Sequence, residues 1–331
     1  METRRDFIKM LSLAVAGSWS NWAEALPTEN PPKKSGLRFA LCADVHKDIM
    51  HDADKRLATF IDSAQKEELD FIIQLGDFCC PQIYNQDFLN IWNQYPGKKY
   101  HVIGNHDMDG GFTKEQVLAF WGAEGKYYSF DCKKFHCVVL DGNDQDPSPN
   151  RPAGYARYIG PEQLNWLEKD LAQTDLPTLV FCHQGLDNDM GGIHNASRCR
   201  LVLEKANQKA GFQKVQLVFS GHHHQDYYNQ INGIHYIQIN SMSYHWLGEA
   251  YQRIRYSEAV NQTHPWIKYT VPYEKPLWAI AEISNKQFQL LGQKSTFVGP
   301  TPQDIGVDME QRGYPIVPFI TDKKIRLGKF S

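Results

Sequence analysis

Apolar residues follow two rhythms along this chain. The runs LRFALCA (37–43), FIIQLG (71–76) and KYHVIG (99–104) are short and bounded by polar residues, as buried strands are. Between them, DKRLATFIDSAQKEEL (54–69) and a patch near 86–93 carry apolar residues at helical spacing. That alternation predicts a βαβαβ opening with parallel strands and crossover helices. Further on, KYYSFDCKKFHCVVLDG (126–142) predicts two strands around a Lys-Lys turn. Pro161 is placed to start a helix over GPEQLNWLEKDLAQ, followed by a strand in PTLVFCH (177–183). A helix near 197–208 precedes a strand in VQLVFSG (215–221). Two hairpins follow, DYYNQINGIHYIQIN (226–240) turning at Asn232-Gly233 and LWAIAEISNKQFQLLGQ (277–293). The elements sum to mixed sheet, parallel early and antiparallel late. The Pro-spotted segment 295–331 reads as an irregular extension packed on a single domain of residues 37–294.

With 331 residues and 42% hydrophobic content, the chain is long enough to bury one large core. The formal charge of −3 comes without long runs of one sign, which argues against nucleic acid or an acidic membrane surface as partner. Seven cysteines are an odd number, and Cys42, Cys137 and Cys182 lie in strand-like runs, so no disulfide framework is expected. Residues 1–25 read as an export signal: an Arg pair, an uncharged stretch from Met10 to Ala23, and the small-residue pattern Ala23-Glu24-Ala25. That apolar core is too short to span a bilayer. Thr3 to Lys9 resembles a bacterial twin-arginine signal, the route for folded proteins that load their cofactor before export. After a spacer at 26–36, the mature protein is then expected in the periplasm or outside the cell, without stable membrane association.

The chemistry collects where the strand runs stop. LCADVH ends with Asp44 and His46, FIIQLGD with Asp77, and YHVIGNHD with Asn105, His106 and Asp107. TLVFCH ends with His183 and VFSGHHH with His222, His223 and His224. Ligands of α/β sheets bind beyond the carboxyl ends of the strands, so these residues are expected to converge. Asp, His and Asn are oxygen and nitrogen donors suited to Mn, Fe, Zn or similar ions. On extended backbone Asp44 and His46 share a face, as do His222 and His224, with His223 on the other. Asp77 can supply one oxygen to a first ion while bridging to a second that takes Asn105, His183 and a histidine of the GHHH run.

The ordered set Asp44-x-His46, Gly76-Asp77, Gly104-Asn105-His106-Asp107, His183 and Gly221-His222-x-His224 resembles the signature of the calcineurin-like metallophosphoesterases. The resemblance spans roughly residues 37–240. It implies an α/β (α+β) fold, a four-layer αββα sandwich of two mixed β-sheets flanked by helices. It implies two divalent transition-metal ions (Mn, Fe, Zn or Co), the first held by Asp44, His46, Asp77 and His224. Asn105, His183 and His222 would complete the second, with Asp77 shared. His106 would stand beside the leaving group and Asp107 would orient its ring. The implied reaction is hydrolysis of a small phosphate ester by attack of a metal-bridged hydroxide.

Departures from the family's branches narrow this. Cys80 stands where purple acid phosphatases carry a tyrosine ligand, and GDFCCP lacks the arginine signature of protein phosphatases. A diester substrate is favoured over a monoester. The alternatives are a monoesterase or nucleotidase and, more remotely, a silent binding protein of the same fold. Tyr155 and Tyr158 read as core packing, while the aromatic stretch 241–251 reads equally as packing or as a substrate platform.

Overall fold

A computed structural model describes residues 36–328 apart from Asp189, Asn285 and Arg312. The expected export signal (1–25) and nearly all of the spacer lie outside the described residues.

The opening follows the sequence pattern: β1 (Leu37–Cys42), α1 (Ala53–Ala64), β2 (Phe71–Gln74), α2 (Gln86–Asn93) and β3 (Lys98–His101). A short helix, α3 (Lys114–Trp121), comes next, its first turn closed by Thr113 and Gln116 bonding reciprocally to each other's backbone. The Lys-Lys hairpin is β4 (Tyr128–Cys132) and β5 (Phe135–Leu140). Then come α4 (Pro161–Gln173), β6 (Thr178–Cys182), α5 (Ala196–Ala210) and β7 (Val215–Ser220). Strands β8 (Tyr227–Ile231) and β9 (Ile234–Gln238) join through Asn232 and Gly233. Both turn residues have positive φ, as a tight hairpin requires. A small ribbon of β10 (Tyr244–Trp246) and β11 (Thr270–Pro272) brackets the six-residue α6 (Glu258–Thr263). The chain finishes with β12 (Ala279–Ser284), β13 (Gln287–Gly292), β14 (Glu310–Gln311), β15 (Tyr314–Pro315) and β16 (Lys323–Arg326).

Two six-stranded sheets form, in the orders β16-β13-β12-β1-β2-β3 and β4-β5-β6-β7-β9-β8. Each is mixed: β1, β2 and β3 run parallel while β12, β13 and β16 are antiparallel. Strand alternation explains the layering. Phe39, Leu41 and Phe71 of the first sheet meet Phe181 and Phe219 of the second in one core, with ring centroids of Phe39 and Phe219 5.7 Å apart. Ala40, Cys42 and Ile72 face outward onto Leu57, Phe60 and Trp92 of the helices. Val180 and Cys182 do the same against Leu167 and Leu203. The result is the expected αββα sandwich, with strands buried on both faces.

One expectation is corrected. The segment after 294 is not merely irregular, because Lys323–Arg326 pairs with Gln287–Leu290 and supplies the first sheet's edge. Its charged sequence KKIR hides the strand and suits an exposed edge, where lysines discourage further pairing.

Candidate metal centre

The parallel strands β1, β2 and β3 of one sheet and β6 and β7 of the other end in loops that carry the expected residues. Asp44, His46, Asp77, Asn105, His183 and His222 to His224 all lie within five residues of a strand's last position. The loops extend the sheet's ladder: Asp44 N–H donates to Gly76 O at 3.0 Å and His46 N–H to Asp77 O at 2.9 Å. In the second sheet, beyond the ends of the paired β6 and β7, Gly221 N–H donates to His183 O at 3.0 Å.

The residues converge, but not by strand alternation. Asp44, His46, Asp77, His222 and His224 have φ of 53°, 52°, 52°, 74° and 52°. All five adopt the left-handed conformation, which costs a non-glycine residue roughly 1–2 kcal/mol. Such strain collects at functional sites when the surroundings impose it. Two glycines make the crowding possible. A Cβ on Gly76 would stand 2.5 Å from His183 Nδ1, and one on Gly104 would stand 2.2 Å from Asp77 Oδ1.

Two donor groups result. Asp44, His46, Asp77 and His224 place ligand atoms within 4.8 Å of one another, as do Asp77, His183 and His222. In the first, His46 Nε2 lies 3.0 Å from His224 Nε2 and 3.6 Å from Asp77 Oδ2. In the second, His183 Nε2 lies 3.1 Å from Asp77 Oδ2 and 3.2 Å from His222 Nδ1. Ligands about 2.1 Å from a common ion at tetrahedral or octahedral angles are roughly 3.0–3.4 Å apart, so these spacings suit one ion per group.

Three further observations fit metal ions. Asn105 is buried, and neither its oxygen nor its amide nitrogen has a hydrogen-bond partner among the described residues. His183 and His224 each use Nδ1 on a backbone carbonyl, Leu75 O and Tyr244 O, both at 2.7 Å. That fixes the tautomer and turns Nε2 to the cluster, the usual support of a metal-ligating histidine. Burial also holds His46 and His222 well below the ordinary histidine pKa, so their lone pairs are available. For His183, burial works downward but Asp77 prevails and raises it to about 9. Asp77 itself is lifted by burial, yet the surrounding histidines hold it well below the usual carboxylate range.

His106 lies beside this cluster, its ring 5.1 Å from that of His46 and a third of its side chain exposed. Asp107 does not orient it. The buried Asp107 carboxylate accepts instead from Asp77 N–H at 3.0 Å, Phe78 N–H at 2.6 Å and Gly104 N–H at 2.7 Å. It sews together the loops after β2 and β3. The ring of His106 bonds through Nδ1 to Asp109 Oδ2 at 2.7 Å, and Tyr155 Oη lies 3.2 Å from the same nitrogen. Both partners escaped the sequence reading. Asp109, three residues beyond His106 in a short 3₁₀ turn, could have been found from its spacing. Tyr155 arrives from a distant loop and is exposed rather than core packing.

A cavity of about 660 Å³ opens over the cluster. His46, Asp77, His106, His222 and His224 form its floor, and Asp48, Tyr155, Trp246 and Trp266 also line it. Trp246 belongs to the aromatic stretch whose role the sequence left open. His223 also lines the cavity, with Tyr227 Oη 2.8 Å from its Nδ1. Cys80 is buried and directs its sulfur to His106 O at 3.3 Å.

Comparison with known proteins follows the same residues. A family model described as calcineurin-like phosphoesterase matches residues 37–226. A 3',5'-cyclic-nucleotide phosphodiesterase of Nostoc sp. is 23% identical over 223 residues, covering 64% of this chain and 76% of that one. Among solved structures, a dimetal phosphatase from Danio rerio shares the fold with a TM-score of 0.57 at 16% identity, over 79% of this chain and 98% of that one. GAP50, the anchor in the inner membrane complex of Plasmodium, does so with a TM-score of 0.51 at 16% identity, over 89% and 90%.

Proposed function

The chain belongs to the calcineurin-like phosphoesterase family, hydrolases of phosphoric ester bonds, and from that premise we propose a dinuclear phosphodiesterase acting on small, singly charged esters. One observation carries the two-ion reading. A single oxygen, Asp77 Oδ2, stands 3.6 Å from His46 Nε2 in one donor group and 3.1 Å from His183 Nε2 in the other. Asp44, His46, Asp77 and His224 would hold one ion; Asp77, Asn105, His183 and His222 would hold the second. Bound there, two divalent ions supply a nucleophilic water at neutral pH and neutralise charge developing on the phosphate.

The chain's own residues do the rest. Two carboxylates, Asp44 and Asp77, leave the loaded site net positive, which attracts a phosphate anion. His106, its Nδ1 engaged with Asp109, presents Nε2 to the ligand. As the ester P–O bond breaks, the Nε2 proton passes to the departing oxygen, giving an alcohol and a monoester. The buried Cys80 thiol, with its pKa pushed up first by burial and then by Asp48, stays protonated and outside the donor set.

The diester preference rests on charge. Among the described residues no lysine or arginine lines the cavity, whereas Asp48 and Asp109 do. A diester carries one negative charge that the metal centre satisfies, while a monoester dianion brings a second with no cationic side chain to meet it. The cyanobacterial relative is named for a cyclic nucleotide, itself a diester. Trp246 and Trp266, 42% and 57% exposed, offer ring faces to the ester's organic group. The likeness to the Plasmodium anchor is of fold alone, so the donor set, not the sandwich, supports catalysis. We also infer export through residues 1–25.

The test compares bis(p-nitrophenyl) phosphate with p-nitrophenyl phosphate in the presence of Mn, Zn, Fe or Co. Higher kcat/KM for the diester, abolished in Asp77→Ala, is expected. Preference for the monoester would reverse the substrate assignment, and full activity in Asp77→Ala would end the two-ion reading.

A further inference from the structure

The family resemblance implies that Asp107 orients His106, yet Asp107 is fully engaged with three backbone amides. A different pair surrounds the ring. His106 Nδ1 stands 2.7 Å from Asp109 Oδ2, and Tyr155 Oη donates to the other oxygen, Asp109 Oδ1, at 2.8 Å. The hydroxyl also lies 3.2 Å from Nδ1, and the two rings are in contact with centroids 4.7 Å apart. Burial and then Asp109 push the Tyr155 phenol up, which keeps it a proton-bearing donor to the carboxylate.

The loop that brings Tyr155 is anchored at its base. Asn143 bridges to Tyr158, Tyr158 N–H donates to Gly142 O at 2.8 Å, and Asp144 N–H to Tyr158 O at 3.1 Å. Lys114 ties the same base to α3 through its ion pairs with Asp141 and Asp144, the latter at 3.0 Å. Tyr155 is thus held over His106 from a fixed hinge, although 45% of its surface remains exposed.

We propose that Asp109 and Tyr155 are positioning residues for His106, a device that replaces the Asp107 contact and fits the enzyme to esters with poor leaving groups. Asp109 accepts a hydrogen bond from Nδ1–H, so in the imidazolium the transferable proton sits on Nε2, the nitrogen that meets the leaving oxygen. Tyr155 restrains the Asp109 carboxylate and packs against the ring, so the imidazole cannot swing away from the cavity. The inference rests on the reading of His106 as proton donor given above. A donor matters most when the departing oxygen is basic, so misplacing it penalises phenyl esters far more than p-nitrophenyl esters.

The experiment measures kcat and KM for diphenyl phosphate and bis(p-nitrophenyl) phosphate with wild type, Asp109→Ala, Tyr155→Phe and His106→Ala. Nitrogen-15 NMR of the His106 ring in the metal-free protein accompanies it, as a readout independent of turnover. In wild type the neutral ring is expected to keep its proton on Nδ1, so that the second proton of the imidazolium, the one transferred, is added at Nε2; Asp109→Ala should convert the neutral ring to mixed tautomers. Asp109→Ala should lower kcat for the phenyl diester by about 10²-fold, the low end of proton-donor contributions, with KM unchanged and a much smaller loss on the nitrophenyl diester. Tyr155→Phe should show the same direction with a smaller amplitude. Equal losses on both substrates, or an unchanged tautomer in Asp109→Ala, would overturn the proposal. If His106→Ala itself shows no dependence on leaving group, the proton-donor reading fails; if His106→Ala shows it and the other two do not, only the positioning role fails.

Discussion

Replacing Asp107 by alanine separates scaffold from chemistry. Its carboxylate receives the N–H groups of Asp77, Phe78 and Gly104 at 3.0, 2.6 and 2.7 Å, and the residue is 1% exposed. Truncation leaves three buried donors without their acceptor, each costing about 1–3 kcal/mol. Water entering the space offsets part of this, so the low end of the range gives about 3 kcal/mol in total. A domain of this size loses roughly 2–4 °C in Tm per kcal/mol, so the metal-free variant should melt about 6–12 °C below wild type by circular dichroism. Two of the freed amides belong to Asp77, the proposed shared ligand, and to Gly104 beside it. Metal affinity, read by calorimetry, should therefore fall by about 10–100-fold, as when support behind a ligand is removed. Asp107→Asn should recover little, because its NH₂ would face a backbone N–H. Melting within about 2 °C of wild type, with metal affinity intact and only turnover reduced, would refute this and return Asp107 to the role of orienting the catalytic ring.

Gly104→Ala places a methyl group 2.2 Å from Asp77 Oδ1, so the Asp77 carboxylate must move; metal retained after dialysis should drop sharply, and wild-type content would contradict the close fit. His136 gives a stability test remote from the centre. Its Nδ1 and Nε2 face Asp131 Oδ1 at 2.7 Å and Asp170 Oδ2 at 2.8 Å, a geometry that suits the doubly protonated ring. Burial acts downward on its pKa, but the two carboxylates prevail and raise it. A folded-state pKa above the unfolded one gives stability that is complete below about pH 6.5 and lost as pH rises through the folded value. Wild type should therefore lose its Tm advantage over His136→Gln on going from acid to alkaline pH, and a constant difference would refute the charged ring. Replacing Arg4 and Arg5 together by lysine should retain the protein in the cytoplasm, as cell fractionation would read; unchanged export would exclude the twin-arginine route.

The positions of the strand-end residues were legible because five apolar runs each stop in Asp, His or Asn, and parallel strands deliver their ends to one edge. The local geometry was not legible. Period-two alternation places His222 and His224 on one face, but left-handed backbone at both, and at Asp44, His46 and Asp77, aims the side chains instead. That conformation is imposed by contacts between loops, which one sequence segment does not display. The ring-orienting role of Asp107 came only from the family resemblance, whereas here a tight 3₁₀ turn sends its carboxylate to the backbone amides of Asp77, Phe78 and Gly104 and brings Asp109 to the ring. Tyr155 lies 49 residues from His106, and no periodicity marks a tyrosine in an irregular loop. Strand β16 was missed because four residues with three cations carry no apolar pattern.

Anomalous diffraction from crystals of the active, metal-loaded protein tests the central claim most directly. The account predicts two metal peaks per chain, one among Asp44, His46 and His224 and one among Asn105, His183 and His222, both in contact with Asp77. A diester-hydrolysing protein with a single ion, or with metal away from these residues, would contradict it.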